Sequence, residues 1–262
     1  MQNEVLSGGR EGKIFRQADC INRPANPWTA DVHAFLRFLL ENGFEAIPHP
    51  VAIIPEGREI VSFVEGTVHN DGLPDSIMTD EVLVSVAKML RRYHDIGAVY
   101  IKRLRGDEEW MLPVRTPEEV MCHGDFAPYN MTFLNGRLHG IIDFDTLHPG
   151  PRLWDIAYAA YRWVPFVSKS NPDCRDGVKR QTERLKIFAD AYGMSDAQRK
   201  ELPDAMIARV GALVEYMRTE AANGNEDVLR NIADGHLDLY LSDIAHFQEN
   251  RQRMIDGLLK SN

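Results

Sequence analysis

The amino-acid sequence predicts an α+β protein of two lobes, a small N-terminal lobe built on an antiparallel sheet and a larger, mainly helical C-terminal lobe. Three observations carry this expectation. Residues 1–66 read mostly as short strands between turn residues, and residues 67–76 are rich in Gly, Pro, Asp and Asn. From Leu153 onward the apolar spacing is helical to the end, with breaks near Asn171-Pro172, Gly193 and Gly224. The expected division is an N-terminal sheet-bearing lobe over 1–66, a hinge or linker over 67–76, and a mainly helical C-terminal lobe over 77–262.

In the first lobe, Glu4 to Ser7 and Lys13 to Arg16 flank a Gly8-Gly9 turn, and a polar break at Gln17 to Asp19 precedes a third short strand, Cys20 to Arg23. Pro24, Pro27 and Trp28 lead to Thr29, expected to cap a helix that runs through Leu40 and stops at Gly43. Val51 to Ile54 and Glu59 to Val64 flank Glu56-Gly57, which reads as a hairpin turn. Beyond the linker, Thr79 precedes Asp80 and Glu81, acids suited to a helix N-terminus. Val82, Val86, Leu90 and Tyr93 then recur at helical spacing, and Arg91, Arg92 and Gly97 mark the expected end. A loop is expected over 102–118. Asn135-Gly136, set between Met131 to Leu134 and Leu138 to Ile142, is the strongest short-range hairpin signal in the chain.

Composition narrows the function. With 262 residues, 44% of them apolar, the chain can bury a core without disulfides or structural metal. No run of 18 apolar residues occurs, and Met1 to Arg10 lacks a basic stretch followed by an apolar one. Neither a membrane span nor a secretory signal is therefore expected. Cys20, Cys122 and Cys174 are odd in number and widely spaced, which reads as reduced thiols in a cytoplasmic protein. A net charge of −9 argues against nucleic acid and is compatible with a cationic ligand.

The polar residues concentrate around the Asn135-Gly136 hairpin. His123-Gly124-Asp125-Phe126-Ala127-Pro128-Tyr129-Asn130 precedes its first arm, and Ile141-Ile142-Asp143-Phe144-Asp145 ends its second. Because paired strands lie about 5 Å apart, Asn130 and Asp143 are brought together at the open end, with Asp125 just before. An amide oxygen and a carboxylate there suit a hard divalent cation such as magnesium, which takes its other ligands from water and phosphate. Asp125 is left to accept a proton from an incoming hydroxyl.

An Asp followed five residues later by Asn, with Asp-Phe beyond a hairpin, resembles the catalytic core of eukaryotic-like kinases. The wording His-Gly-Asp and Asp-Phe-Asp is similar to the aminoglycoside phosphotransferase and choline kinase superfamily, specifically over about 120–156 and more loosely over 4–100. That resemblance implies a protein-kinase-like fold and phosphorylation of a small molecule's hydroxyl by a magnesium-bound nucleoside triphosphate, ATP or GTP. It assigns Asp125 as catalytic base and Asn130 and Asp143 as magnesium ligands, with Asp145 as holder of a second ion or a water. His123 becomes a packing and hydrogen-bonding residue, and Asp155 in Leu153-Trp154-Asp155 a structural acid. Gly124 stands where protein kinases carry arginine, and seven residues separate Asp145 from Leu153, too few for a peptide-docking segment.

In the first lobe, Ser7-Gly8-Gly9 with Ile14-Phe15-Arg16 resembles a shortened phosphate-covering loop. Arg23 aligns with the family's phosphate-binding lysine, and arginine can bind phosphate bidentately. The helix that should offer a partnering glutamate reads Asp31-Val32-His33, so Asp31 and His33 both stand as candidates. Ser62-Phe63-Val64-Glu65-Gly66 resembles the hinge that holds a purine through backbone groups, making Phe63, Val64 and Glu65 nucleotide-binding candidates. The family's helical lobe usually forms the acceptor cleft, for which Glu215, Glu220, Asp234, Asp238 and Asp243 are candidate acids and Tyr158, Tyr161 and Trp163 candidate floor residues. Three rival readings remain: a weak or inactive kinase-like binding or immunity module, a metal-dependent hydrolase using His123, Asp125, Asp143 and His148, and a structural or interaction protein.

Overall fold

The computed structural model describes residues 4–5, 14–70 and 74–260, with side chains from residue 14 on. Just over half of the described residues are helical, short 3-10 turns included, and the rest include a small antiparallel sheet, an α+β arrangement. The chain divides into two compact units. One comprises residues 1–77 and 91–152, the other residues 78–90 and 153–262. This division differs from the lobes expected at 66 and 77, since residues 91–152 pack with the N-terminal residues.

The first unit holds five antiparallel strands in one sheet: β1 (Glu4–Val5), β2 (Phe15–Gln17), β3 (Cys20–Pro24), β4 (Pro50–Ile54) and β5 (Arg58–Ser62). Their spatial order is β1-β2-β3-β5-β4. Strands β4 and β5 form the expected hairpin, and Gly57 adopts the left-handed conformation its turn requires. Strand β5 also pairs with β3, setting Arg23 directly opposite Glu59. Between β3 and β4 runs α1 (Thr29–Glu41), whose apolar face buries Val32, Phe35, Leu36 and Leu39. Trp28, not Thr29, occupies the cap position. The Thr29 hydroxyl instead accepts from the Asn26 backbone N–H at 2.8 Å, closing the turn that enters the helix.

Helix α2 spans Asp80–Ile101, and Thr79 accepts from the Val82 N–H as a cap does. It runs past its expected stop at Gly97. That glycine serves packing: a Cβ there would sit 3.1 Å from the Met121 nitrogen, so the bare position lets β6 (Val120–Cys122) lie close against the helix. Strand β6 pairs with β9 (His148–Gly150), while β7 (Met131–Leu134) pairs with β8 (Arg137–Ile141) around Asn135-Gly136, both at positive φ. Thr67 exchanges backbone hydrogen bonds with Phe133, so the first residue of the expected linker extends this hairpin. Phe35, Tyr93, His123 and Phe144 form a chain of ring contacts through the core of this unit.

The second unit is built on α3 (Arg152–Trp163), α4 (Val178–Tyr192), α5 (Asp196–Ala222), α6 (Glu226–Ala233) and α7 (His236–Leu259). The expected breaks at Gly193 and Gly224 are left-handed residues at helix ends. Helix α5 starts with a capping box between Ser195 and Gln198. Asp80 binds Arg180 and Arg184 of α4 at 2.7–2.8 Å, which fixes residues 78–90 to this unit. No helix among the described residues is long and apolar enough to cross a membrane.

Candidate functional site

The hairpin performs the geometric task its sequence sets. Met131 pairs with Ile141, and one residue further out the Ile142 N–H donates to the Asn130 carbonyl at 2.9 Å. Asn130 and Asp143 therefore flank the open end, and Asp143 takes φ +60°, which turns the chain sharply out of β8. Asp125 lies in the preceding loop. Its carboxylate accepts from Tyr129 Oη at 2.7 Å through Oδ1 and from Asn130 Nδ2 at 2.8 Å through Oδ2. Asn130 Nδ2 also donates to the Asp125 carbonyl, so the Asp-to-Asn spacing closes a local ring. Sequence pattern does not single out Tyr129; the one signal for it is its place four residues after Asp125, on a short helical turn.

His123 orients this loop from behind. Its Nε2 bonds the Ile142 carbonyl at 3.1 Å, which requires that nitrogen to carry the proton. Nδ1 is then the acceptor that faces the Asp125 N–H at 3.4 Å. Gly124 between them has φ +81°, and a Cβ there would lie 2.5 Å from the Thr146 carbonyl oxygen. No side chain fits at this position, arginine included, because the Thr146 segment crosses directly over it and donates its hydroxyl to the His123 carbonyl.

Arg23 faces the same carboxylates from β3. Its Nε donates to Glu59 Oε1 at 2.8 Å, Nη2 to Asp145 Oδ1 at 2.9 Å and Nη1 to Asp143 Oδ1 at 3.4 Å. Burial disfavours the guanidinium charge, but Asp145, Glu59 and Asp143 outweigh it and hold its pKa above the ordinary value. The second Glu59 oxygen takes a 2.7 Å hydrogen bond from His33 Nε2 on α1. Of the two helix candidates, His33 thus joins the Arg23 network. Asp31 binds the Glu109 backbone N–H at 2.9 Å and so pins the 102–118 loop. The carboxylate that pairs with Arg23 is Glu59, which sequence reasoning does not single out for this role. Its signal is its position on β5, but the β3–β5 pairing joins residues far apart in the chain.

The remaining candidates fall as follows. Gly8 and Gly9 lie outside the described residues. Phe63 donates its N–H to the Asp19 carbonyl at 2.7 Å, and its ring lies under the Arg16 guanidinium at 3.8 Å. Val64 is buried and Glu65 exposed. In the second unit, Asp243 is fully buried and accepts from Tyr161 Oη, the Ser168 N–H and Asn171 Nδ2 at 2.7–2.8 Å. It is an internal anchor for the segment after α3, and no acceptor ligand can reach it. Tyr158, Tyr161 and Trp163 are likewise buried in the core. Glu215 pairs with Arg218 on the exposed face of α5, and Asp234 and Asp238 are exposed.

Asn130, Asp143 and Asp145 offer only hard oxygen donors, since Asn130 Nδ2 is committed to Asp125 and Oδ1 is the atom left for a cation. That donor set fits magnesium. Among the described residues no three His, Cys, Asp or Glu side chains are grouped to hold a metal by themselves.

The chain is similar to known proteins in fold and, over part of its length, in sequence. The profile of the phosphotransferase enzyme family matches residues 105–201. No curated protein sequence matches the chain. A choline/ethanolamine kinase family protein from Mesorhizobium loti superposes with a TM-score of 0.62 at 17% identity, over 98% of this chain and 92% of its own. Amicoumacin kinase hAmiN, in complex with AMP-PNP, Ca2+ and Ami, gives 0.60 at 13% identity, over 97% and 88% of the two chains. APH(2")-IIa in its gentamicin complex gives 0.56 at 14% identity, over 97% and 93%. The fold is therefore protein-kinase-like, and over residues 105–201 the sequence is similar to the phosphotransferase enzyme family.

Proposed function

We propose that the chain is a small-molecule kinase that transfers the γ-phosphoryl group of ATP or GTP to a hydroxyl of an acceptor. The observation that carries this reading is the Asp125–Asn130–Asp143 arrangement at the open end of one hairpin, faced by the Arg23 fork. It is supported by the family match over residues 105–201, which hold the three hairpin residues but not Arg23, and by similar solved structures bound to AMP-PNP or to gentamicin.

In this reading Asp125 receives the acceptor's proton. Tyr129 and Asn130 fix the direction of its carboxylate, so little reorganisation is needed when the hydroxyl arrives. Arg23 binds the nucleotide phosphates, its fork matching their oxygens. Asn130, Asp143 and Asp145 would hold magnesium, which when bound neutralises phosphate charge. Phosphoryl transfer needs little covalent help, so positioning and charge account for most of the rate. The acceptor's class is a hydroxyl-bearing small molecule, and the net charge of −9 is compatible with a cationic one.

Calorimetric titration of ATP and GTP, with magnesium and then with excess chelator, tests the reading. Magnesium-dependent binding of either nucleotide, weakened in Asp143→Ala, is expected. Absence of binding to folded protein would overturn it. The alternative of a kinase-like module without turnover is favoured by arginine at position 23 and by Asp31-Val32-His33 where the helix should offer a glutamate, and predicts binding of nucleotide or a partner with no phosphorylated product from any acceptor.

A further inference from the structure

We infer that Glu59 and His33 are the positioning pair for Arg23, a relay in which a buried strand carboxylate, braced from helix α1, aims the guanidinium fork at the phosphate site. The inference rests on the kinase reading and extends it to residues that no comparison assigns. Each nitrogen of Arg23 has a separate partner, and the partners differ in kind. Nε is bound to Glu59, whose side chain is 2% exposed, whereas Nη2 binds Asp145, 13% exposed, and Nη1 reaches Asp143, 50% exposed. The Glu59 bond is shielded from water and screened least, so it is the fixed end. The two Nη groups are the working end, lying on Asp143 and Asp145 where the phosphates of a metal-bound nucleotide must approach.

His33 is what keeps Glu59 from turning. Glu59 Oε2 can only accept, so His33 Nε2 donates, and the imidazole is itself 1% exposed on the buried face of α1. The other ring nitrogen, Nδ1, is buried without a hydrogen-bond partner among the described residues. Among the described residues the ring is therefore hydrogen-bonded to Glu59 alone, and a small shift of α1 is passed to Arg23 through two hydrogen bonds. An arginine is required at the end of such a relay. A lysine offers one ammonium on a flexible stem, and it cannot keep a bond to Glu59 while presenting a two-pronged fork to phosphate.

The test is a double-mutant cycle on the nucleotide dissociation constant, measured by titration calorimetry of magnesium ATP and GTP into wild type, Glu59→Gln, Arg23→Ala and the double variant. Glutamine is isosteric, and His33 can meet its amide by moving the ring proton to the partnerless Nδ1, so the fold should tolerate it. Glu59→Gln should raise the dissociation constant about tenfold in the wild-type background and less than about twofold when Arg23 is already alanine, the non-additivity expected of groups in one network. Arg23→Lys should bind no better than Glu59→Gln. Should Glu59→Gln not fold, the same cycle is read with His33→Ala, which should weaken binding about threefold, and with His33→Gln, which retains a donor and should restore it. Equal penalties with and without Arg23, or wild-type binding in Glu59→Gln, would overturn this inference while leaving the kinase reading intact. A wild-type protein that binds neither nucleotide would overturn both.

Discussion

Replacing Asp125 by asparagine separates its chemistry from its structural work. The carboxylate receives two donors, Tyr129 Oη and Asn130 Nδ2, at 2.7 and 2.8 Å. An asparagine can keep both contacts. Its Oδ1 turns to Asn130, and its amide donates to Tyr129, whose hydroxyl rotates to become the acceptor. Two charge-assisted bonds become neutral ones, a loss of about 1 kcal/mol in stability, which leaves the fold and the nucleotide site intact. What asparagine cannot do is take a proton. Removal of a general base typically costs 10² to 10⁴ in turnover, or about 2.7–5.4 kcal/mol in the barrier. The assay is nucleoside diphosphate release under single-turnover conditions with an acceptor found by screening aminoglycosides, choline-like amines and sugars, alongside nucleotide titration and thermal unfolding. Turnover within about threefold of wild type would remove Asp125 from the proton-accepting role.

Three further outcomes follow from the packing. Gly124→Ala combines a left-handed backbone with a Cβ 2.5 Å from the Thr146 carbonyl oxygen, and should destabilise the protein by about 2–4 kcal/mol, seen as a fall of several degrees in melting temperature; an unchanged melt would mean the loop can move aside. Asp243→Ala leaves a tyrosine hydroxyl, a backbone N–H and an asparagine amide unpaired in the core, and should cost about 3–5 kcal/mol in urea unfolding, so a wild-type midpoint would refute its role as anchor. Burial lowers the pKa of His246 despite opposing charge on Asp243 and Glu249, and its Nδ1 already faces the Asn250 amide. The unfolded chain therefore binds the proton more readily, and stability is lost as pH falls from the unfolded value near 6.5 toward the depressed folded one. Urea midpoints of wild type and His246→Gln measured from pH 8 to pH 5 should diverge below about 6.5; parallel profiles would rule the linkage out.

Local features are legible in the residues alone. Asn135-Gly136 can take the positive φ angles of a two-residue turn, and strand alternation does the rest, so the approach of Asn130 to Asp143 can be read directly from the order of residues. The same holds for the glycine breaks among the later helices, where a left-handed residue is needed at each end. Partnerships between segments distant in the chain are settled only by tertiary packing. The pairing of β3 with β5 sets Glu59 across from Arg23, and α1 then supplies a histidine to it, while Asp31 on the same helix turns to the 102–118 loop. Gly97 reads as a helix stop because glycine has low helix propensity, yet burial against β6 outweighs that cost of about 1 kcal/mol and the helix continues to Ile101. Asp243 reads as a solvated acid on a helix, and becomes an interior anchor because three donors, from α3 and the segment after it, converge on it. Backbone preference acts over a few residues and can be read from them, whereas the partner of a buried charge is fixed only when the chain has closed around it.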